Sequence, residues 1–407
     1  MADLTGLPQL PSHFRLTPEF KLLAACSWIA PPALEQAQAE RITSLCAAGI
    51  DWAHFISLVD RHRVPALAYT VLHRHACGRF PDDTRDRLKE RSDQARKQAL
   101  LHAAELVRLS RIFAEQGIGM VPLKGVILSL QLFGDPGTRQ SKDIDLLIRP
   151  EDLVRADRLL ATAGYRCIFP GFELTASQMD YLGTGIHHFE YIHGERGINV
   201  ELHWRSNLWT SQQAAGVWRR CRQIDRMGVA VACLDDDNLL LYLCDHGASH
   251  KWFRIKWLSD IAMMLAQDRP DGWDSLLAMA DCLGLRRALA QAALLVRWLY
   301  DIPLPDQLSR LIVEEKTSVV LSTAALTGLQ NHIATGGRFE GVRHAFYLMR
   351  LKPSQPYGML LKGMLICPAD FKIVPLPDSL FWLYIPLRPV FWLWRNYLKK
   401  SPAKSDH

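Results

Sequence analysis

Between about Pro32 and Gln116, apolar residues recur at spacings of three and four, as at Ile50, Trp52, Phe55, Ile56 and Leu58. That period belongs to helices with one buried face. The stretch Asp83–Gln116 is rich in Arg, Lys, Glu, Ala and Leu and predicts one long amphipathic helix. Phe80-Pro81-Asp82-Asp83 supplies its turn and cap. At Gly117 the period changes. Ile118–Leu123 reads as a short strand, Lys124-Gly125 as a turn and Val126–Phe133 as a helix. Gly134-Asp135-Pro136-Gly137 is a turn. Asp143–Arg149 then reads as a strand, Pro150–Ala163 as a helix with proline near its start, and Tyr165–Phe169 as a strand. Ile186–His193 and Ile198–Trp204 predict two strands joined by a hairpin over Gly194-Glu195-Arg196-Gly197. Beyond Trp209 the helical pattern returns to about Tyr300, with Asp235-Asp236-Asp237 capping one helix. Further helix follows over 301–340, and 356–398 is rich in aromatics and prolines.

These elements predict an α+β fold: a small mixed sheet flanked by N-terminal and C-terminal helical regions. Four regions result: helical 1–116, the sheet-bearing core 117–210, helical 211–340, and an aromatic, proline-rich basic section 341–407. With 407 residues, 49% of them hydrophobic and 22% charged, the chain can bury a sizeable core. A net charge of +6 is too small for a dedicated DNA-binding protein and suits an anionic substrate or anionic lipid. Nine cysteines with no Cys-x-x-Cys pair argue for a reducing compartment and against both a disulfide framework and a zinc site. No basic start followed by an apolar core opens the chain, so a cytoplasmic location is expected.

The candidate chemistry lies in Asp143-Ile144-Asp145. In a strand, residues i and i+2 face the same side, so the two carboxylates project together. Such a pair repels itself and is kept cheaply only in water or beside cations. Carboxylate oxygens suit Mg²⁺. A third carboxylate, Glu201, alternates with Val200, Leu202 and Trp204 and can complete a three-carboxylate site if its strand pairs beside the first. Upstream, Lys124-Gly125 begins a helix, and a glycine there lets backbone N–H groups approach a phosphate.

The runs LKG, GDPGTRQSKDIDLLI and INVELHW resemble the nucleotidyltransferase superfamily with the polymerase-beta-type catalytic fold. More closely, they resemble a poorly characterised bacterial nucleotidyltransferase family. The flanks IDWAHFISLVDRHRVPALAYTVL and LLLYLCDHGASHKWFRIKWLSDIAMML resemble that family's helical segments. The resemblance implies metal ligands at Asp143, Asp145 and Glu201, and phosphate binding at Gly125 near Lys124. Arg139 and Ser141, in the pattern R-x-S-x-D-I-D, would contact the triphosphate or brace the loop. His246, Trp252 and Asp260 stand at family-like positions and would line the nucleotide or acceptor pocket, or simply pack. The chain departs from most of the superfamily in carrying Lys-Gly rather than Gly-Ser or Gly-Gly after the first strand, and Ser129 is too distant to assume as a substitute.

The expected activity is transfer of a nucleoside monophosphate, AMP from ATP, to a hydroxyl or phosphate of a small molecule, sugar, peptide or protein, with Mg²⁺ or Mn²⁺. Rival readings are a non-catalytic nucleotide-binding scaffold and a membrane-associated interaction protein. No basic stripe with interleaved aromatics favours a nucleic acid partner. His246 and His250 stand four apart, as zinc ligands can, but no helical glutamate accompanies them as in a metalloprotease. His187, His188 and His203 suit either proton transfer or pairing within the sheet. Finally, residues 380–400 combine aromatics with Arg388, Arg395, Lys399 and Lys400, and Lys404 follows. They fit peripheral contact at an inner membrane surface or a helix packed on a protein core. Two prolines and Arg388 argue against a spanning helix.

Overall fold

Prolines and aspartates set many of the helix starts in the computed structural model, which describes residues 6–172, 175, 177–178, 187–205, 208–209, 211–225, 227–267, 269, 272–331, 340–352 and 368–394. Helix α1 (Pro18–Cys26) is capped by the Thr17 hydroxyl, which accepts from the Phe20 N–H. Helices α2 (Pro32–Ala47) and α4 (Pro65–Ala76) open on proline, whose missing N–H is not needed there. Helix α3 (Trp52–His62) is capped by Asp51 and stopped by Arg63, held in the left-handed region at φ 57°. The long amphipathic stretch is α5 (Asp82–Glu115). Strand β1 (Met120–Pro122), α6 (Val126–Phe133) and β2 (Asp143–Ile148) follow. A 3₁₀ turn (Pro150–Asp152), α7 (Leu153–Thr162), β3 (Tyr165–Phe169), β4 (His188–His193) and β5 (Asn199–His203) come next. The fold is therefore α+β with a mixed five-stranded sheet in the order β1-β2-β5-β4-β3. Ile186, at the expected start of β4, lies outside the described residues.

The chain divides into two units, and the division falls inside β2. The first unit joins Met1–Leu146 to Leu208–Pro353. Besides α1–α6 it contains α8 (Ser211–Arg220), the hairpin β6 (Arg222–Ile224) and β7 (Val231–Cys233), α9 (Asp236–Ser249) and α10 (Ile255–Leu265). It continues through α11 (Asp274–Cys282), α12 (Arg286–Tyr300), α13 (Asp306–Glu314), α14 (Ser318–Gln330) and α15 (Glu340–Leu351). Asp235 caps α9 through the Asn238 N–H, as its run of aspartates predicts. Helix α12 is apolar almost all round and is accordingly buried, packing on α1, α9, α10, α11, α13 and α14.

One close approach fixes the turn between α9 and α10. The fully buried Trp252 ring lies on Gly247, where an added Cβ would come within 2.2 Å of it. Only glycine leaves room for that ring.

The second unit joins Leu147–Asn207 to Ser354–His407. Strands β4 and β5 form an antiparallel pair with His188 opposite His203, Glu190 opposite Glu201, and Tyr191 opposite Val200. One face carries Phe189, Tyr191, Val200 and Leu202, all buried, with Phe189 edge-on to Trp204. The Tyr191 hydroxyl donates to Asp157 of α7 at 2.7 Å. The other face carries His188, Glu190, Glu201 and His203, as the alternation predicts. Near the C-terminus, α16 (Pro368–Ile373), a 3₁₀ turn (Asp378–Leu383) and α17 (Tyr384–Leu393) gather around Phe371, Tyr384 and Phe391. Among the described residues, no helix is long and apolar enough to cross a membrane.

Candidate active site

The segment between α6 and β2 is held from its own ends. Gly125 precedes α6 with φ +70°, a conformation that costs most side chains 1–3 kcal/mol (an order-of-magnitude figure) and glycine little. Four residues on, the buried Ser129 hydroxyl donates to the Asp135 carbonyl at 2.6 Å and accepts from the Arg139 N–H at 3.0 Å. Asp135 in turn accepts from the Thr138 hydroxyl and the Gly137 N–H. Ser129 is thus the pin of the loop. Gly125 lies beside Ser141 and the Asp143 carbonyl, within ordinary contact of where its Cβ would stand. The Ser141 hydroxyl reaches both the carbonyl and Oδ1 of Asp143, at 3.0 and 3.1 Å. Ser141 therefore orients the first carboxylate.

Strand β2 begins at that carboxylate. The Leu123 N–H donates to the Asp145 carbonyl at 3.0 Å, which brings the Lys124-Gly125 turn against the Asp-Ile-Asp run. Lys124 Nζ lies 3.1 Å from Asp145 Oδ1, and the carboxylate is only 2% exposed. A buried carboxylate needs such a cation, because burial alone disfavours its charge. Arg139 points elsewhere. Its guanidinium donates twice to Asp260 of α10, at 2.7 and 2.9 Å, with both side chains buried. Burial by itself would lower the Arg139 pKa, but Asp260 outweighs it and the net shift is upward.

Three cations that sequence reasoning passed over, Arg63, Lys142 and Lys256, feel the Asp143 charge, and a fourth, Arg254, lies beside Arg63 and Lys142. Arg254, at the N-cap of α10, donates to the carbonyl of Arg61. Burial first, then Arg63 and Arg61, push its pKa down to about 10. Lys256 is buried and donates to the Gln140 carbonyl at 3.1 Å. Burial first, then Arg139 and Arg63, hold its ammonium well below its ordinary value, against the pull of Asp143 and Asp260. Among the described residues, Arg63, Lys142 and Arg254 form no ion pair with a carboxylate. The only sequence signal was local, in the runs Arg61-His62-Arg63 and Arg254-Ile255-Lys256.

This arrangement combines paired acids at a strand start, a helix-opening glycine and a surplus of cations. A family model described as an uncharacterised nucleotidyltransferase matches residues 48–301, more than half of the chain. The chain belongs to that nucleotidyltransferase family. The matched range includes every residue of this arrangement, from Arg63 to Asp260, and also β3–β5 of the second unit. Neither the search of curated proteins nor the search of solved structures finds a match.

The remaining residues singled out from sequence lie as follows. His246 of α9 packs among rings, 5.0 Å from Trp257, 4.8 Å from His250 and 6.2 Å from Tyr242 between centroids. Burial first, then Lys124 and His250, hold its pKa well below the ordinary value, so the imidazole is neutral. Trp252 is the buried ring on Gly247. In the second unit, Glu201 Oε2 lies 3.3 Å from His203 Nε2, and Glu201 stands directly opposite Glu190. Arg395, Lys399, Lys400 and Lys404 lie outside the described residues.

Proposed function

We propose that this nucleotidyltransferase moves a nucleoside monophosphate, AMP from ATP, onto a hydroxyl or phosphate oxygen of a small molecule, sugar, peptide or protein in the cytoplasm. The observation that carries the proposal is the paired start of β2. Asp143 is oriented by Ser141, Asp145 is held by Lys124, and both adjoin a helix-opening glycine. Asp143 and Asp145 would hold Mg²⁺ or Mn²⁺, with Glu201 as the third carboxylate. The donor set fits, because its ligand atoms are hard carboxylate oxygens and Asp145 already accepts a cation at 3.1 Å. Support for Glu201 is its alternation with the buried Val200 and Leu202, which puts its carboxylate on the polar face of β5.

In the reaction the acceptor oxygen forms a bond to the α-phosphorus, and the bond to the departing pyrophosphate breaks. When bound, the metal would neutralise charge on the attacking and leaving oxygens. The chain's own part is positioning and electrostatics. The N–H groups after Gly125 would meet phosphate oxygens, and Lys124, 3.1 Å from Asp145, would be placed to meet the same phosphates. Arg63, Lys142 and Arg254 supply positive charge, and among the described residues none of them is in a carboxylate ion pair. Arg139 and Asp260 keep the loop rigid, and His246 lines the pocket as a neutral ring.

The test incubates the protein with each labelled triphosphate, Mg²⁺ or Mn²⁺ and candidate acceptors, alongside Asp143→Ala and Asp145→Ala. Metal-dependent pyrophosphate release should fall by roughly three orders of magnitude in each variant. Release that persists in both would sink the metal assignment. Triphosphate binding by the wild type with no metal-dependent pyrophosphate release would instead favour a non-catalytic nucleotide-binding scaffold.

A second reading, peripheral contact with anionic lipid, rests on the C-terminal section. Leu380, Trp382, Ile385, Val390, Trp392 and Leu393 are all exposed, a concentration of apolar surface rare on a soluble chain. Arg388 is engaged by Asp370. Flotation with anionic vesicles should carry the protein upward, and Trp382→Ser with Trp392→Ser should release it. Wild-type protein that stays at the bottom of the gradient ends this reading.

A further inference from the structure

The polar face of β4 and β5 carries more ligand chemistry than nucleotidyl transfer uses. His188 and His203 are direct cross-strand partners. His187 joins them just outside β4, its carbonyl accepting from the Trp204 N–H at 3.2 Å, so the backbone ladder fixes all three positions. The rings crowd together, with centroids 4.8 Å apart for His187 and His188, 4.9 Å for His188 and His203, and 5.6 Å for His187 and His203. One ring nitrogen from each lies within 4.8 Å of the other two. Nitrogen ligands about 2.1 Å from a single ion stand some 3 to 3.5 Å apart, so small rotamer changes close the set.

The next rung of the ladder sharpens the case. Glu190 and Glu201 stand directly opposite one another on the same face, and like charges in that register destabilise a sheet. Glu190 Oε1 lies 3.7 Å from His188 Nε2, and Glu201 Oε2 lies 3.3 Å from His203 Nε2. Carboxylates beside ligating imidazoles are a common means of raising their basicity. A dication on the three rings would also offset the repulsion between the two glutamates.

We propose that His187, His188 and His203 bind one zinc-class transition-metal dication, flanked by Glu190 and Glu201. The donors are imidazole nitrogens, which favour Zn²⁺, Co²⁺ or Ni²⁺ over the oxygen-seeking Mg²⁺. Three protein ligands leave a fourth position open, the pattern of zinc sites that do chemistry rather than only hold structure.

The test uses full-length protein stripped with chelator and titrated with Co²⁺. One equivalent should give visible d–d absorption of four- or five-coordinate cobalt that Zn²⁺ abolishes and excess Mg²⁺ leaves intact. The half-buried His188→Ala should weaken binding by about tenfold or more, and His187→Gln should do the same. X-ray absorption of the Zn²⁺ form should show imidazole scattering in both cases where binding survives at high metal, which keeps the test valid if one variant folds poorly. Asp143→Ala should bind Co²⁺ normally, and His188→Ala should keep Mg²⁺-dependent triphosphate binding; both variants leave Glu201, common to the two sites, unchanged, so the distinguishing ligands fail separately. Absence of stoichiometric Co²⁺ binding, binding unchanged in His188→Ala, or a near-ultraviolet thiolate band marking cysteine ligation would each overturn the proposal.

Discussion

Two local sites, one in each unit, handle charge in opposite ways. In the first, carboxylates are met by the protein's own cations, Lys124 at Asp145 and Arg139 at Asp260, while Arg63, Lys142 and Arg254 form no carboxylate ion pair among the described residues. In the second, the face of β4 and β5 sets carboxylate opposite carboxylate and imidazole opposite imidazole. The first unit has a surplus that an anion relieves. In the second, imidazole and carboxylate donors converge where a cation could sit. The contrast teaches that candidate ligands are recognised less by residue type than by which charges the fold has already balanced.

The largest test of the contrast is the Arg139–Asp260 pair. Removing one member strands the other in the interior, so Arg139→Ala should cost about 3–5 kcal/mol in chemical denaturation. The double variant Arg139→Met with Asp260→Leu should recover much of that loss, because two apolar groups leave no buried charge. A single variant as stable as the wild type would show that the pair is not a brace.

A smaller effect comes from His62, which is buried between the helices. Its Nδ1 accepts from the Ile255 N–H at 3.0 Å, and its Nε2 lies 3.1 Å from the Leu329 carbonyl. Burial first, then Arg61 and Arg254, push its pKa from 6.5 down to about 3. Between those values the unfolded chain binds a proton that the folded chain refuses. The contribution of His62 is therefore complete above pH 6.5 and is lost as the pH falls through that window. At pH 5 the loss is on the order of 2 kcal/mol. His62→Gln should be less stable at neutral pH and show a shallower decline in acid. A decline as steep as that of the wild type would assign the acid sensitivity to other groups.

The smallest effect concerns the unclaimed cations. Arg63→Ser and Arg254→Ser should each weaken triphosphate binding roughly three- to tenfold, about 1 kcal/mol. Arg63→Ser should leave the unliganded protein no less stable, because mutual repulsion falls, whereas Arg254→Ser also loses the hydrogen bond to the Arg61 carbonyl. Unchanged affinity in both variants would remove these residues from the phosphate reading and blunt the comparison between the units.

The sequence by itself determined where the elements lie and which residues share a strand face. Val126–Phe133 and Tyr165–Phe169 are read directly from periodicity, and so is the alternation that sets Glu201 apart from Val200 and Leu202. Those features are local, because strand and helix periods depend on the backbone within a few residues. Membership of the nucleotidyltransferase family was legible for the same reason, through short runs such as DIDLLI. Only the tertiary structure decided the partners. Arg139 finds Asp260 at a separation of 121 residues, and Arg254 reaches Arg61 across 193. No periodicity encodes such pairings, and at ion-pair distance a displacement of a few ångströms decides whether a charge braces the fold or waits for a ligand.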